Sequence, residues 1–445
     1  MSLPRIRALI FVWCVCALPA HAQRGFGNFG SFDNARFLRY PFDKWAAENA
    51  KPQIRWNVRI DPPRLSPHQR MVAGLHISVD GDEIRRHQNT GPIIMFVRIE
   101  DSAGHRYQTG GQRPIALLHR GAQFLDLDYD VSAFLLPGDY FVSLAVCDGR
   151  TLEHSFVRRR LHVSAINADP LPDAWNGLPP VEFLPLNGIP DAWYIPQLRS
   201  RIRLPIETQR PVRVELLVNT TPSELGSLIS FRRNMELVVP SLKVLMGIAP
   251  SNGSAGLSII DLNRRAMSDA QADLLAADWP QFRSSFAELS PVTVDAKTLA
   301  GQRGMLDYFA REATRLLGPT DQPDGVAHAL IVLSAPVYFT RQDKPPPPPE
   351  VPSDPRRRVF YISYSPIAAV VLPGTLPAGR SGAATVDSAP EAGSTIRRPL
   401  YIFTDDLEHV LKPMGARVFR VSKPEEFRKA LTAILDEIGK MPAGR

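Results

Sequence analysis

Short apolar runs separated by turn sequences dominate residues 50–166. Runs such as QIRWNVRI and DYFVSLAVCDG are rich in Val, Ile and Phe and are bounded by turn signals such as Asp-Gly and Ser-Ala-Gly. In the second run alternate residues fall on one face of a strand: Tyr140, Val142, Leu144 and Val146. Tyr140 also follows a Pro-Gly-Asp turn, as the tyrosine corner of an immunoglobulin-like sandwich does. The pattern predicts an all-β, immunoglobulin-like sandwich over 50–166.

The hydrophobic period changes from residue 206 onward. The runs VRVELLVN, AGLSIIDLNR, AHALIVLSA and RRVFYISYS are nearly continuous in apolar residues, as buried parallel strands are. Helical stripes lie between them, and the last, SKPEEFRKALTAILDEIGK, begins with a capping-box pattern at Ser422 and Glu425. The segment SDAQADLLAADW predicts another helix from Ser268. Alternating strands and helices predict a doubly wound α/β domain over 206–440.

Four other segments lack a clear period. Residues 23–49 mix Gly with Phe, which predicts a flexible N-terminus from which Phe or Trp45 docks on a neighbouring domain. Residues 167–205 form a Pro-rich linker with two PDAW sequences. Two insertions, 341–358 and 372–398, interrupt the α/β domain; the first is a polyproline stretch and the second is of low complexity, so both are expected to be mobile.

The first 22 residues have the pattern of an export signal. Arg5 and Arg7 precede an apolar stretch, and Ala20-His21-Ala22 supplies a small-x-small cleavage sequence. No later run is long enough to span a bilayer. We therefore expect a secreted or periplasmic bacterial protein. Its mature chain would keep a single cysteine, Cys147, placed in a strand as a small apolar residue.

Charge and composition exclude a nucleic-acid-binding surface. The 445-residue chain carries a formal charge of +7, and its arginine clusters, 158–160 and 356–358, are short. Nucleic-acid binding calls for a denser basic surface with stacking aromatic residues. The chain also has 42 prolines, which predicts many turns and linkers.

The order of elements in 206–440 resembles a von Willebrand factor A-type domain of exported bacterial proteins. The resemblance is carried by VELLVNTTPSE, AHALIVLSAP and LEHVLKPMGARVFRVSKPEEFRKALTAILDEI. It implies an apolar strand followed by Asp-x-Ser-x-Ser, then a Thr that opens a helix, and later a strand that closes on Thr-Asp-Gly. In the family these side chains bind Mg²⁺ or Mn²⁺, and a partner's carboxylate completes the coordination.

This chain departs from that pattern at the ligand positions. The first Asp position is Asn219, and the second Asp position is Ala335. Thr221 and Ser223 occupy the two Ser positions, and Gly304 falls on the helix-opening Thr. Because Mg²⁺ usually needs one or two carboxylates to offset its dehydration, we expect a vestigial site with no metal and no other cofactor. The amide of Asn219 would instead cap the following backbone.

These patterns favour a non-enzymatic protein-interaction module with an unidentified protein partner. Binding would use the strand-end rim formed by the five positions just named and the Pro-rich insertions. Two alternatives stay open: a metal-dependent adhesion protein with unorthodox ligands, possible because hydroxyls are retained, and an extracytoplasmic hydrolase. The sequence offers no HExxH, GxSxG, Walker A or GxGxxG motif in support of an enzyme.

Overall fold

The computed structural model describes a defined part of the chain. It covers residues 30–31, 39–48, 51–87, 91–113, 126–184, 194, 201–221, 228–271, 302–318, 325–337, 354–364 and 405–441. The predicted signal 1–22, the insertion 372–398 and Ser223 lie outside these residues. So does the polyproline part of the other insertion, whose last residues, 354–358, instead form a turn and the start of a strand.

Two antiparallel sheets face each other in the N-terminal part of the protein. The first has the order β1-β6-β5-β8-β9, and the second has the order β10-β7-β4-β2, with β3 paired to β4. The bounds of the first sheet are β1 Gly30–Ser31, β5 Ile93–Asp101, β6 Arg106–Arg113, β8 Gly138–Asp148 and β9 His154–Val163. Those of the second are β2 Trp56–Ile60, β3 Arg64–Leu65, β4 Met71–Val79, β7 Leu127–Leu135 and β10 Val181–Phe183.

The alternating pattern of the sequence accounts for the core between these sheets. The four predicted inward residues of β8 are buried and pack against residues of β4 and β7. The hydroxyl of Tyr140 donates to the carbonyl of Leu136 at 2.9 Å and lies 3.3 Å from that of Pro180. This is the backbone contact that a tyrosine corner makes, so the prediction for Tyr140 is confirmed.

A helix occupies part of the segment predicted to be flexible, and that prediction is wrong for residues 42–47. Helix α1, Phe42–Ala47, covers the outer face of the first sheet, and the next helix in the chain, α2, Gly81–Arg86, follows β4. Phe42 and Trp45 are buried there against Phe96, Ala145 and Cys147. Burial of these two large rings orders a segment whose glycine-rich composition favours disorder.

The predicted linker 167–205 is also wrong in part, because it contributes strands to two sheets. β10 pairs with β7 of the sandwich, and β11, Leu204–Ile206, pairs in parallel with β13, Ile248–Pro250. A short 3-10 helix, Pro172–Trp175, precedes β10 in the chain. The sandwich therefore continues to residue 183, beyond the predicted boundary at 166.

A six-stranded sheet forms the C-terminal part, in the order β15-β14-β12-β16-β17-β18. Five strands are parallel, and the edge strand β15 is antiparallel to β14. Numbered by their sequence order, the strands follow the 3-2-1-4-5-6 order, which reverses direction between β12 and β16. Their bounds are β12 Val212–Asn219, β14 Gly253–Asp261, β15 Ala266–Gln271, β16 Ala327–Ser334, β17 Arg357–Tyr364 and β18 Arg417–Val421.

Helices cover both faces of this sheet. Helix α3, Leu228–Leu245, and helix α6, Pro424–Gly439, pack on one face with β11 and β13. Helix α4, Gln302–Leu316, and helix α5, Asp406–Leu411, pack on the other. The continuous apolar runs of the sequence are explained by this double coverage, since both sides of each central strand are buried.

Two local predictions in this part are corrected. Residues 266–271 form strand β15 rather than the start of a helix at Ser268, and the rest of that predicted helix, 272–279, lies outside the described residues. At the start of α6 the capping carboxylate belongs to Glu426 rather than Glu425. It accepts from the backbone of Ser422 at 2.7 Å and of Lys423 at 3.2 Å. The second correction concerns the end of a helix, which local sequence specifies least; the first concerns the type of element, since residues 266–271 pair with β14.

Candidate functional site

The parallel strands bring polar side chains together at the carboxyl edge of the six-stranded sheet. Asn219 ends β12 and Ser334 ends β16, and the two strands pair in register up to Val218 and Leu333. Ser334 is in turn paired with Ser363 near the end of β17. Because this edge lies where the strand order reverses, it is the place where such sheets form a crevice for ligands.

The amide of Asn219 has a fixed orientation. Its Oδ1 accepts from the backbone N–H of Thr221 at 3.1 Å, and its Nδ2 donates to the Oγ of Ser334 at 2.9 Å. A backbone N–H can only donate, so the oxygen of the amide faces Thr221 and the nitrogen faces Ser334. The expected capping role of Asn219 is confirmed, and its side chain is 1% exposed.

Thr221 holds the neighbouring turn between β14 and β15. Its Oγ1 accepts from the backbone N–H of Leu262 at 2.7 Å. Asp261 caps the same turn by accepting from the backbone of Asn263 at 2.9 Å and of Arg264 at 3.2 Å. The hydroxyl of Thr221 is thus engaged with the backbone of the protein.

Gly304 lies in the first turn of α4 and touches the same β14–β15 turn. A Cβ at this position would come within 2.9 Å of the guanidinium carbon of Arg265. Arg265 has a left-handed backbone with a φ of 50°. The position expected to hold a hydroxyl ligand therefore holds a glycine against which an arginine side chain lies flat.

A carboxylate that sequence reasoning missed, Asp405, completes the network. Its Oδ2 accepts from the hydroxyls of Tyr361 at 2.5 Å and Ser363 at 3.1 Å. Its Oδ1 accepts from the backbone N–H groups of Val337 at 3.1 Å and Leu407 at 3.2 Å. Asp405 is also the N-cap of α5. Ser334 contacts the hydroxyl of Tyr361, so the chain of contacts runs from Asn219 to Asp405.

We call Asn219, Thr221, Ser334, Tyr361, Ser363 and Asp405 the strand-end network. Burial raises the pKa of Asp405 above its ordinary value of 3.8, and the donated hydrogen bonds of Tyr361 and Val337 offset this only in part. Burial also raises the pKa of the Tyr361 hydroxyl far above its usual range. Tyr361 therefore stays a neutral donor to the carboxylate of Asp405.

The donor set does not fit a divalent cation. Mg²⁺ and Mn²⁺ need oxygen lone pairs directed at one point. Here four donors occupy the two oxygens of Asp405, and the Asn219 group that faces Ser334 is an amide nitrogen. Within the part of the chain that the structure describes, no group of three or more His, Cys, Asp or Glu side chains has metal-binding geometry.

The buried carboxylate predicts a pH dependence of stability. Because folding raises the pKa of Asp405, its contribution to stability is largest below the unfolded pKa of about 3.8 and is lost as pH rises through the folded pKa. Relative to Asp405→Asn, the wild type should lose free energy of unfolding as pH rises from about 3 to 8. Urea unfolding over that range measures the difference.

Asp43 provides a control of opposite sign. Its hydrogen bond and charge interaction with Arg98 lower its pKa. Relative to Asp43→Asn, the wild type should therefore lose stability as pH falls rather than as it rises. The same sign of slope in both comparisons would contradict the assignment for Asp405.

The structure brings some of the predicted site residues together. Asn219 and Thr221 are in contact, and Ala335 is buried next to Ser334, whose hydroxyl donates to the Ala335 carbonyl. Gly304 is joined to them through the turn that Thr221 holds, and Ser223 is outside the described residues. Four members were missed: Ser334, Tyr361 and Ser363 lie in the last residues of β16 and β17, and Asp405 lies at the start of α5. The polar ends of LSAP and YISYS were the available signal for the first three.

Comparisons with known proteins do not identify a family. No protein-family model matches the chain, and the search of curated proteins found no significant match. Among solved structures, AggA, the major subunit of aggregative adherence fimbriae type I from Escherichia coli, is 14% identical. The match covers 26% of this chain and 100% of AggA, with a TM-score of 0.15. A structural-genomics target, SoR45, gives the same identity, TM-score and coverage of this chain, with 97% of its own length covered.

A longer match is a glycosyl hydrolase family 2 member from Bacteroides cellulosilyticus. It is 9% identical over 71% of this chain and 37% of the hydrolase, with a TM-score of 0.16. Values this low carry no argument about fold or function. None of the helices in the described ranges is both long enough and apolar enough to cross a membrane.

Proposed function

We propose that this chain is an exported, non-enzymatic binding protein that recognises a protein partner. Its C-terminal part is a von Willebrand factor A-type domain, doubly wound and without its metal ligands, and its N-terminal part is an immunoglobulin-like sandwich. The partner contacts the carboxyl edge of the six-stranded sheet, around the strand-end network and the turn that follows β14.

The observation that carries this proposal is the internal satisfaction of the strand-end network. The polar groups described at the ligand positions bond to each other or to nearby backbone, at 2.7–3.1 Å for Asn219 and Thr221. Buried polar groups with complete hydrogen bonds rigidify a structure, whereas a metal site needs unengaged oxygens. A sheet edge whose polar groups are held in this way favours binding to the surface of a protein partner over coordination of a metal ion.

Two further features support the assignment. The strand order of the sheet reverses between the strands that carry Asn219 and Ser334, so the network lies at the customary ligand edge. In the turn beside it, Asn263 is half-buried, and Arg264 and Arg265 present cationic side chains to solvent. Export is supported by the signal pattern in residues 1–22.

Calorimetric titration of the chelator-treated mature protein with Mn²⁺ tests the vestigial site. We expect no binding heat from the wild type and binding by the double variant Asn219→Asp/Ala335→Asp, since two carboxylates would then face the edge. The double variant Leu152→Asp/Asn176→Asp adds the same charge at exposed positions and should stay silent. Micromolar binding by the wild type would overturn the proposal.

The partner contact is tested at the same edge. A photo-crosslinking residue in place of Asn263 should capture a protein in the producing cell, and one in place of exposed Leu152 should not capture the same protein. Purified partner should then bind Arg264→Ala/Arg265→Ala more weakly than wild type, by about tenfold. Capture of the same protein from both positions would contradict recognition at this edge.

A further inference from the structure

An edge of the sandwich presents backbone groups that are available for pairing. Strand β9 is ten residues long and is the last strand of the first sheet. Its inner side pairs with β8 from His154 to Val163. On its outer side, residues 53 and 54 cover the start of the strand: Gln53 N donates to His154 O at 3.1 Å, and Ile54 exchanges bonds with the Ser155 hydroxyl.

The register shows which peptide groups face outward. The backbone N–H and C=O of His154 both bond to Gln53, on the side away from β8. The C=O of Glu153 accepts from the N–H of Asp148, on the β8 side. Since successive residues of a strand direct their N–H and C=O to opposite sides, four residues present both groups at the open edge. These are Phe156, Arg158, Arg160 and His162. Among the described residues, no backbone hydrogen bond beyond the β8 ladder reaches them.

The side chains along this edge are strongly basic. Arg158, Arg159 and Arg160 are all exposed. The guanidiniums of Arg158 and Arg160 lie over the ring of Phe141, at 4.3 Å and 5.5 Å from its centroid. Stacking holds both cations in place, so less side-chain entropy is lost when they bind an anion. Glu100, 3.4 Å from Arg158, is shared with Arg106.

A cavity of about 310 Å³ extends the basic surface at the start of the strand. Its wall contains Lys51, His154 and Arg158 together with one carboxylate, Glu48. The ring of His154 is stacked on Trp45 at 4.6 Å, which fixes this wall. Positive charge therefore continues from the cavity along the open half of β9.

We propose that the open edge of β9 binds an extended acidic segment of another protein by adding it as a further strand. Backbone hydrogen bonds to the four outward residues would give affinity, and acids at alternate positions would meet Arg158 and Arg160. A second copy of β9 would place arginine beside arginine, which disfavours self-pairing. This surface is separate from the strand-end network, so its test is independent of the proposed function.

Fluorescence anisotropy of a labelled octapeptide of alternating Thr and Glu, added to the mature protein, provides the test. We expect binding that is about tenfold weaker when Lys replaces Glu in the peptide. The variant Arg158→Glu/Arg160→Glu should lose the preference for the acidic peptide. The matched control is Arg417→Glu/Arg420→Glu on β18, an edge strand of the six-stranded sheet. This variant should bind the peptide as the wild type does.

The backbone pairing is tested at His162. Proline there removes an outward N–H without removing a bond to β8, so His162→Pro should weaken binding by about fivefold. His162→Ala keeps the N–H and should bind normally. Equal binding by these two variants, no binding of the acidic peptide, or equal loss in both arginine variants would each overturn the proposal. So would sedimentation showing that β9 instead pairs with a second copy.

Discussion

Replacing Arg428 by alanine is expected to lower the free energy of unfolding by about 3–5 kcal/mol. Arg428 lies on α6, is 2% exposed, and donates to both carboxylate oxygens of Asp169 at 2.6 and 2.7 Å. It also donates to the carbonyl of Leu171 at 2.8 Å and lies over the ring of Trp175. Its removal would leave the Asp169 carboxylate without its cation, as well as an emptied space beside Trp175.

The side chains around Arg428 also join the sandwich to the part of the protein that contains the six-stranded sheet. Trp175 donates through Nε1 to the carbonyl of Gln69 at 2.7 Å, and Gln69 donates to the carbonyl of Pro424 at 2.9 Å. Gln69 is fully buried and has a left-handed φ of 58°. A residue in that conformation is held by its surroundings. Losing Arg428 should therefore also separate the two parts into distinct unfolding transitions.

Urea unfolding followed by circular dichroism measures the effect. The control is Arg420→Ala, which removes an exposed arginine paired with Glu408 and should cost less than about 1 kcal/mol. Asp169→Ala/Arg428→Ala should be less destabilised than the sum of the single variants, because neither charge is then left alone. A loss for Arg428→Ala equal to that of Arg420→Ala would show that the cluster does not join the two parts.

Acidification should reduce the difference between wild type and Arg428→Ala. Burial acts to raise the pKa of Asp169, but the hydrogen bonds and charge of Arg428, together with the Leu171 N–H, lower it overall. A lowered folded pKa contributes stability above the unfolded pKa, and that contribution is lost as pH falls through the folded value. The contribution of this pair should therefore be present at neutral pH and disappear in acid.

The spacing of hydrophobic residues predicted the strands of this protein correctly where the apolar residues of a strand are the ones that are buried. The inward residues of β8 and the apolar runs of β12, β16 and β17 are buried as predicted. Ser268 shows where local pattern fails. Its segment has a capping sequence for a helix, yet residues 266–271 pair with β14 as an edge strand. That pairing is with the preceding strand of the same hairpin, and it outweighs a weak preference of the segment for helix.

The candidate site was predictable only in its first half. Asn219 ends an apolar strand and Thr221 comes two residues later, so their position at the sheet edge could be deduced from sequence. Asp405 follows β17 by some forty residues, and its approach to Tyr361 depends on how α5 packs back on the sheet. The residues at the ligand positions showed that the metal-binding carboxylates of the family pattern are missing. They did not show which hydrogen bonds form there instead.

Replacing Trp45 by alanine should destabilise the sandwich by about 3–5 kcal/mol, although composition alone predicts a flexible segment there. Trp45 is 3% exposed, with its ring 5.8 Å from that of Phe96 and stacked on His154 at 4.6 Å. Exposed Leu152→Ala is the control and should change the free energy of unfolding by less than about 0.5 kcal/mol. Thermal and urea unfolding measure both.

If Trp45→Ala behaved like the control, α1 would contribute little to the sandwich in solution. A large loss would show that this N-terminal helix is part of the folded domain, because it covers apolar surface that the first sheet would otherwise expose.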